Sequence, residues 1–292
     1  MTLVAKLRQR MNEKGYSLSH VKKSTNVSIS RLNLWLNNKY TGNVEKIDEA
    51  VKKFLELEEL RDRRIEVGFI NTSVVVDVFD IAKTCSIENT IGVCCGPAGL
   101  GKTVAVRQYA EENPEVILIE ADFGYTPKVL FSEIHKSLGF DGCGTIHTML
   151  LDIVQKLKSS GRLIIVDEAE NLPYKALELL RRIYDKANVG ILLVGMPKLF
   201  NNLKGEKGQY AQLYSRVGIT SLLESLSEED IKAIISTVTP EVDSIYPKIS
   251  VYCGGNTRVL TKLLVRAHRI AQLNDRDMDE DVIQASMRQL IF

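Results

Sequence analysis

The chain has few of the residues that form disulfide frameworks and zinc sites. Its five cysteines are an odd number without a C-x-x-C pair, a pattern that fits neither kind of site. No apolar run approaches the ~20 residues that a membrane-spanning helix needs, and residues 1–6 lack the apolar region of a signal peptide. We therefore expect a cytoplasmic protein that makes no contact with a membrane.

The chain also has almost no excess of charge of either sign. The formal net charge of +1 argues against a generally basic chain that coats nucleic acid. The charges are unevenly placed, however, because residues 1–40 carry eight lysines and arginines against one glutamate, a net +7, and the rest of the chain sums to −6. This asymmetry indicates an N-terminal module that binds polyanions.

A complete phosphate-binding loop stands in the first half of the chain. It matches G-x-x-x-x-G-K-[ST] and consists of Gly96, Pro97, Ala98, Gly99, Leu100, Gly101, Lys102 and Thr103. A strand-like run, 91–95, precedes it and a helical pattern, 104–112, follows it, which is the context that the motif requires. Glycines leave backbone N–H groups free to surround phosphates, Lys102 would reach the β- and γ-phosphates, and Thr103 would bind Mg²⁺. We therefore predict that these eight residues bind ATP.

An acidic strand supplies the rest of the nucleotide site. The apolar residues 163–166 are followed directly by Asp167 and Glu168. We predict that Asp167 binds Mg²⁺ together with Thr103 and that Glu168 polarises the attacking water. Phosphoryl transfer to water relies on positioning and electrostatics rather than on a covalent intermediate. The chain is therefore expected to be a magnesium-dependent ATPase.

Strands and helices alternate in the central part of the chain. Strand-like runs lie at 91–95, 116–119, 163–166 and 191–194. Helical patterns separate them, which is typical of a parallel sheet covered by helices on both faces. After residue 219 the pattern is wholly helical. We predict an α/β nucleotide-binding domain over residues 65–221 and a small all-α lid over residues 222–292.

The first 64 residues have a helical pattern of their own. Short helices are predicted on both sides of the turn at 25–27, with Ser17 and Ser28 as N-caps. This arrangement indicates a helix-turn-helix domain over residues 1–64. The second helix of such a motif meets DNA, and the residues that it would present are Ser28, Ser30, Arg31, Asn33 and Lys39. An oligomerisation module with a solvated basic face is the alternative. The charged run 56–64 is predicted to be a solvated hinge.

Motifs beyond the phosphate-binding loop resemble the AAA+ ATPase family. Residues 167–172 and 177–181 are similar to the second acidic motif of bacterial transposition and helper ATPases. Arg216, in Tyr-Ser-Arg, stands where that family has its arginine finger, and Gly255-Asn256-Thr257-Arg258 matches its sensor 2 motif. The resemblance implies that Arg216 reaches the γ-phosphate bound by a neighbouring subunit, whereas Arg258 contacts the phosphate within its own subunit. An exposed arginine at a helix end or at the start of a strand is the alternative for Arg216, and a surface arginine is likewise the alternative for Arg258.

The order of the domains resembles the B transposition proteins of the phage Mu type over nearly the whole chain. The resemblance includes the segment Trp-Leu-Asn-Asn-Lys-Tyr at 35–40, and insertion-sequence helper ATPases are similar more distantly. It implies a homo-oligomer, either a ring or a helical filament, that assembles with ATP on double-stranded DNA with weak sequence preference. It also implies that the chain delivers this target DNA to a partner transposase, activates that transposase, and leaves the DNA on hydrolysis.

Two features depart from that family's pattern. The residues after the fourth predicted strand, 195–197, offer no polar side chain at the sensor 1 position, which orients the attacking water. Asn201 and Asn202 are the candidate substitutes. The lid is acidic over 224–230, where the relatives are lysine-rich, so the sequence leaves open a DNA contact from the lid.

Two other functions stay open from the sequence. An ATP-dependent transcription regulator or DNA-segregation switch would use a helix-turn-helix that reads sequence and would need no transposase. A signalling or secretion-associated ATPase would bind protein through its N-terminal module. Footprinting distinguishes the three, because a regulator protects one short palindrome, a transposition protein protects DNA along its length, and a signalling ATPase protects none.

Overall fold

The computed structural model describes residues 2–62, 65, 67–205, 211–240 and 242–290. Its internal contacts divide the chain into two compact units, Met1–Glu66 and Val67–Phe292. The predicted domain boundaries after residues 64 and 221 stay predictions.

Within its described residues, the N-terminal unit consists of four helices around one apolar core. The helices are α1 (Leu3–Lys14), α2 (Leu18–Thr25), α3 (Ile29–Leu36) and α4 (Val44–Asp62). Ser17 and Ser28 cap α2 and α3 as predicted, because each side chain accepts a hydrogen bond from a backbone N–H three residues on. Asn26 has the left-handed conformation that the turn needs, with φ of 55°. The core consists of Leu7, Val21, Leu32, Trp35, Leu36, Ile47, Val51, Phe54 and Leu55.

The charged run at the end of α4 is part of the packed N-terminal unit. The helix continues through residues 56–62, and Glu58 is only 2% exposed. Its carboxylate accepts a hydrogen bond of 2.7 Å from the Tyr16 hydroxyl, and Asp62 pairs with Arg10 and Lys14. The prediction of a hinge is therefore wrong for residues 56–62, because they continue α4 and pair with α1 and Tyr16, whereas the predicted solvation holds for all of them except Glu58. Residues 63 and 64 lie outside the described residues.

The second unit is built on a parallel sheet. The strands that the structure describes are β1 (Ile91–Cys95), β2 (Ile117–Glu120), β3 (Leu163–Asp167), β4 (Gly190–Gly195) and β5 (Val217–Leu222). They lie in the order β2-β3-β4-β1-β5, and every neighbouring pair is parallel. The sequence predicts the first four strands. Strand β5 alternates between half-buried and exposed residues at the edge of the sheet, so no continuous apolar run marks it.

Helices cover both faces of this sheet, which confirms the α/β prediction. Their bounds are α5 (Ser73–Glu88), α6 (Lys102–Glu112), α7 (Pro127–Ser137), α8 (Ile146–Leu157), α9 (Tyr174–Ala187), α10 (Lys198–Lys204), α11 (Ala211–Tyr214), α12 (Glu228–Ser236), α13 (Val242–Cys253), α14 (Thr257–Leu273) and α15 (Glu280–Met287). One apolar core joins the sheet to α5, α6 and the helices after β5, and a second joins it to α7, α8 and α9. None of the helices within the described ranges combines the length and the apolar character that crossing a bilayer requires.

The helices after β5 are tied to helix α5, which precedes the sheet. Leu260 of α14 and Ile231 of α12 lie in the same apolar core as Val78 of α5. The carboxylate of Asp230, in the first turn of α12, accepts hydrogen bonds from the backbone N–H (2.8 Å) and the hydroxyl (2.5 Å) of Ser73. The segment predicted to be a lid therefore packs beside the sheet and against α5.

Candidate nucleotide-binding site

The phosphate-binding loop connects the end of β1 to the start of α6. Gly99 and Gly101 adopt left-handed conformations, with φ of 84° and 96°, which residues other than glycine rarely tolerate. Gly101 is the N-cap of α6 and has no side chain to cap it. The first backbone N–H groups of α6 therefore stay available for an anion, at the end of the helix where the dipole favours negative charge.

Lys102 lies folded back against this loop. It is 8% exposed, and its ammonium group donates hydrogen bonds of 2.7 Å to the carbonyl oxygens of Gly96 and Pro97. Burial lowers the pKa of Lys102, and the charges of Asp167 and Glu170 act in the opposite direction. A buried ammonium held only by loop carbonyls has a strong attraction for a phosphate that enters the loop.

Thr103 and Asp167 meet at the carboxyl end of the sheet. The Thr103 hydroxyl donates a hydrogen bond of 2.6 Å to the Asp167 carboxylate, which is 2% exposed. Burial raises the pKa of Asp167, while this hydrogen bond and one from the Glu168 backbone act against the rise. A hydroxyl and a carboxylate are hard oxygen ligands of the type that Mg²⁺ prefers, usually alongside substrate phosphates. The two residues therefore fit the predicted metal site.

Glu168 is held beside the same cavity by a residue that sequence reasoning missed. Its backbone is left-handed, with φ of 51°, and directs it away from the buried strand. The side-chain amide of Asn171 donates to the Glu168 carboxylate at 3.1 Å and to the carbonyl of Ala121 at 3.3 Å. Asn171 thus joins the predicted water-polarising residue to the chain that follows β2. Its position three residues after Glu168 was the sequence signal from which this contact could have been predicted.

Residues at the start of α14 bind the phosphate-binding loop directly. The side-chain amide of Asn256 donates to the carbonyl of Ala98 at 2.9 Å, and the Thr257 hydroxyl donates to the carbonyl of Leu100 at 3.1 Å. The backbone N–H of Arg258 donates to the carbonyl of Gly99 at 3.0 Å. The structure therefore brings the predicted sensor 2 segment to the loop, with Arg258 in the wall of the cavity.

One cavity of about 620 Å³ collects most of the predicted nucleotide residues. The lining includes Ala98, Gly99, Gly101, Lys102, Thr103, Asp167, Glu168 and Arg258. Sequence reasoning missed Phe123, Lys198 and Lys262, which also line it. Lys262 lies one helical turn after Arg258, so helical spacing could have revealed it, whereas Phe123 and Lys198 follow β2 and β4 and come close only because those strands are parallel. The added lysines make the cavity more favourable for a polyphosphate.

Arg216 lies elsewhere in the described part of the chain. Its guanidinium pairs with Asp185 of α9 at 3.0 Å, its side chain is 46% exposed, and it is not among the residues that line the cavity. Asp185 also pairs with Arg181. The structure therefore does not bring Arg216 to the nucleotide site of its own chain, and its predicted role across a subunit interface stays a prediction.

The two candidate substitutes for a polar residue after β4 are not at the cavity. Neither Asn201 nor Asn202 is among its described lining residues. The side-chain amide of Asn202 instead donates to the carbonyl of Glu170 at 2.9 Å and holds the turn after β3. The expectation that one of these asparagines orients the water is therefore corrected, because Asn202 is committed to a backbone contact and Asn201 faces solvent.

The predicted DNA-binding residues all lie at the surface of the N-terminal unit. Ser28, Ser30, Arg31, Asn33 and Lys39 are all exposed. The Ser28 hydroxyl serves as the cap of α3, at 3.4 Å from the backbone N–H of Arg31, and the Asn33 side chain accepts a hydrogen bond from Asn37. Their contact with DNA stays a prediction.

The chain is similar to known proteins. A family model described as an AAA domain matches residues 87–203. The chain is 29% identical to the Mu-like prophage FluMu DNA transposition protein B of Haemophilus influenzae, over 90% of this chain and 95% of that protein. It is 24% identical to the ATP-dependent target DNA activator B of Escherichia phage Mu, over 98% of this chain and 94% of that protein.

The fold has relatives among solved structures. The Aeropyrum pernix ORC2 protein in its ADPNP–ADP complexes superposes with a TM-score of 0.58 at 18% identity, covering 74% of this chain and 66% of that one. Domain III of the Thermotoga maritima replication initiation protein DnaA superposes with a TM-score of 0.50 at 14% identity, covering 79% and 97%. These similarities show the fold alone. The chain thus contains an AAA domain built as an AAA+ P-loop fold and resembles the B transposition proteins of Mu-like phages over most of its length.

Proposed function

We propose that this chain oligomerises on target DNA when ATP is bound, delivers that DNA to a partner transposase, and leaves the DNA when ATP is hydrolysed. At the coarser level the chain is an AAA+ ATPase of DNA transposition. One observation carries the proposal. The chain is similar, over 98% of its length, to a protein named ATP-dependent target DNA activator B, and it keeps an intact phosphate-binding loop and acidic strand.

The proposed hydrolysis uses residues from three segments that meet at the cavity. Lys102 would exchange its loop carbonyls for the β- and γ-phosphates, and Arg258 would approach them from α14. Glu168 would orient the water and accept its proton. Mg²⁺, which the hydroxyl of Thr103 and the carboxylate of Asp167 would hold, supplies charge neutralisation when bound. These roles derive from the predicted motifs together with the cavity described above.

The contacts between α14 and the loop support a link from nucleotide to oligomer. Three consecutive residues, 256–258, are bonded to carbonyl oxygens at 98–100. A nucleotide that binds the loop N–H groups would therefore act on α14 through one short stretch of backbone. A conformational equilibrium shifts only as far as a ligand binds its two states with different affinity, and these contacts supply such a difference.

DNA binding is proposed for the exposed side of α3 in the N-terminal unit. The net charge of +7 over residues 1–40 favours phosphate contacts, while the rest of the chain is acidic. A single small basic unit binds DNA weakly, and assembly of many copies multiplies that affinity. The proposal therefore includes a homo-oligomer with weak sequence preference.

Footprinting on a long duplex, combined with electron microscopy, tests this function. With ATP the wild-type chain should protect DNA over lengths that grow with protein concentration, and Lys102→Ala serves as the control that cannot hold nucleotide. A matched pull-down should show a transposase retained only with the ATP-bound assembly. One short protected palindrome would favour the transcription regulator instead, and absence of any protection would favour the signalling ATPase.

A further inference from the structure

A buried carboxylate oxygen without a hydrogen-bond donor lies in the wall of the nucleotide cavity. Among the described residues three buried side-chain atoms lack a partner, namely Arg10 Nη2, His20 Nε2 and Glu170 Oε2. The first two belong to the N-terminal unit, whereas Glu170 lines the cavity. Native proteins rarely leave a buried acceptor unsatisfied, and a bound water or ligand often supplies the missing donor. The oxygen itself is covered in this structure, but other atoms of Glu170 face the cavity, so a donor in the cavity would lie next to this carboxylate.

Gly195 provides the space that this oxygen occupies. It ends β4, pairs with Cys95 at the end of β1, and accepts a hydrogen bond of 3.1 Å from the backbone N–H of Gly96. A Cβ atom placed on Gly195 would overlap Glu170 Oε2, while its nearest other side chain, Leu199, would stay at 3.4 Å. The carboxylate of Glu170 thus fills the position that a side chain on residue 195 would take, next to the first residue of the phosphate-binding loop.

The turn that carries Glu170 is fixed, and its charge acts on the loop. Glu170 lies in the short 3-10 turn Ala169–Asn171 directly after β3, and its carbonyl accepts the hydrogen bond from Asn202. Burial first, and the charge of Glu170 second, raise the pKa of the Cys95 thiol to about 12. The same charge acts on the ammonium group of Lys102. Glu170 is therefore an electrostatic neighbour of the group expected to meet the terminal phosphate.

We infer that Glu170 is a catalytic residue whose carboxylate, by turning its unpartnered oxygen from Gly195 towards the cavity, accepts a hydrogen bond from the water that attacks the terminal phosphate. It replaces the polar side chain that is missing after β4. The water oxygen bonds to the γ-phosphorus and the bond to the bridging oxygen breaks, so that ADP leaves. One proton passes to Glu168, and the other stays on the oxygen that becomes part of inorganic phosphate, directed by Glu170. This role rests on the proposed ATPase activity.

Removing the side chain at residue 170, alone and together with a new polar side chain at residue 195, tests the inference. Single-turnover hydrolysis, with protein in excess over ATP, measures the chemical step even when it is slow. Glu170→Ala should lower that rate on the order of 10²-fold, the loss expected when a reacting group is misplaced. Glu170→Ala should bind ADP without magnesium at least as tightly as wild type, because the carboxylate contacts water and not ADP, and its negative charge lies near Lys102, which is expected to bind the β-phosphate. Glu111→Ala, which removes an exposed glutamate from α6, is the control for the loss of a carboxylate.

The double variant Glu170→Ala with Gly195→Asn distinguishes a catalytic role from a structural one. The asparagine would place a polar group where the carboxylate oxygen was, and should recover most of the lost rate. In the wild-type background Gly195→Asn should slow hydrolysis, because it displaces Glu170. Glu170→Met keeps roughly the length of the side chain but removes both oxygens, and it should show the same loss of rate if the alanine variant fails to fold.

Three outcomes would overturn the role of Glu170. They are a wild-type rate in Glu170→Ala, an equal loss of ADP affinity and rate, or a folded double variant that recovers nothing. A wild-type chain that hydrolyses no ATP, with or without DNA, would instead overturn the ATPase assignment, and this role with it.

Discussion

At the scale of single residues, the charged groups of the nucleotide site form hydrogen bonds within the protein in place of the phosphate and water that they are expected to contact. Lys102 donates to two loop carbonyls, and Glu168 accepts from an asparagine amide. Each of these contacts is replaceable by a stronger one to phosphate, or by one to water. The roles of the two residues differ, because Lys102 would contact the nucleotide in the ground state, whereas Glu168 would act on the water that attacks it.

Glu168→Gln should therefore bind ATP and assemble on DNA normally while losing nearly all turnover. General-base catalysis typically contributes about 10²–10⁴-fold, so a fall in kcat of that size is expected. Lys102→Ala should lose nucleotide binding and assembly together, because it removes a ground-state phosphate contact. Steady-state hydrolysis and the binding of a fluorescent ATP analogue measure the two effects, and normal turnover by Glu168→Gln would contradict the assignment.

At the scale of elements, the first turn of α12 holds the helices after the sheet against α5. Asp230 and Ser227 form a reciprocal capping box, and Asp230 also accepts two hydrogen bonds from Ser73. Burial raises the pKa of Asp230, but the hydrogen bonds from Ser73 and Ser227 outweigh it and hold that pKa below its usual value. A carboxylate with a lowered pKa stabilises the fold above the pKa of the unfolded chain, about 3.9.

Asp230→Ala should accordingly lower the free energy of unfolding at pH 7 by about 1–3 kcal/mol, because hydrogen bonds to a charged group each contribute on that order. The difference from wild type should shrink as the pH falls below about 4, because protonation removes the same interaction from the wild-type chain. Denaturant unfolding of both proteins at pH 7 and at a pH below about 4 measures the loss of stability and its decrease with pH. Glu228→Ala, on the same turn but paired only with Lys232 at the surface, is the matched control and should cost less than about 0.5 kcal/mol.

Helix α3, with Arg31, and the segment just after it, with Lys39, contain the basic residues predicted to contact DNA. Replacing Arg31 or Lys39 with alanine should weaken DNA binding about evenly across sequences and reduce the salt slope by roughly one unit per lost phosphate contact. Lys53→Ala on α4 removes the same charge from another helix of the unit and should leave the slope near wild type. Fluorescence anisotropy with several duplexes over a range of salt provides the measurement. A loss confined to one sequence would indicate base readout instead.

At the scale of the whole molecule, the exposed ion pair between Arg216 and Asp185 raises the question of whether Arg216 acts across a subunit interface. Arg216 lies away from its own cavity, so any action on phosphate must cross to another copy of the chain. Oligomers whose active sites are shared in this way lose activity when either contributing subunit is altered.

Arg216→Ala and Glu168→Gln subunits, each inactive alone, should therefore recover part of the hydrolysis rate when mixed. Some interfaces of the mixed assembly then have a wild-type arginine facing a wild-type glutamate. The rate is measured at a fixed total concentration while the ratio of the two variants is changed, and it should be highest at intermediate ratios. Co-assembly without any recovered activity would argue that Arg216 is a surface residue that pairs with Asp185 alone.

The sequence by itself determined the parts of the site that are contiguous in the chain. The phosphate-binding loop, the acidic strand end and the caps of α2 and α3 follow from short patterns, because each pattern fixes its own backbone through glycine conformations, a continuous apolar run or a side-chain cap. Four buried strands were likewise predictable from continuous apolar runs. The edge strand β5 was not, since only half of its residues face the core.

The tertiary structure alone decided which distant segments share the cavity. Asn256 meets Ala98 across 158 residues, Asn171 joins the segment after β2, and the carboxylate of Glu170 fills the space left by Gly195. These contacts depend on the strand order β2-β3-β4-β1-β5, and hydrophobic periodicity, which reports only the face that a residue buries, does not contain that order. The same limit applies to Arg216, in the turn before β5, whose partner Asp185 comes from helix α9.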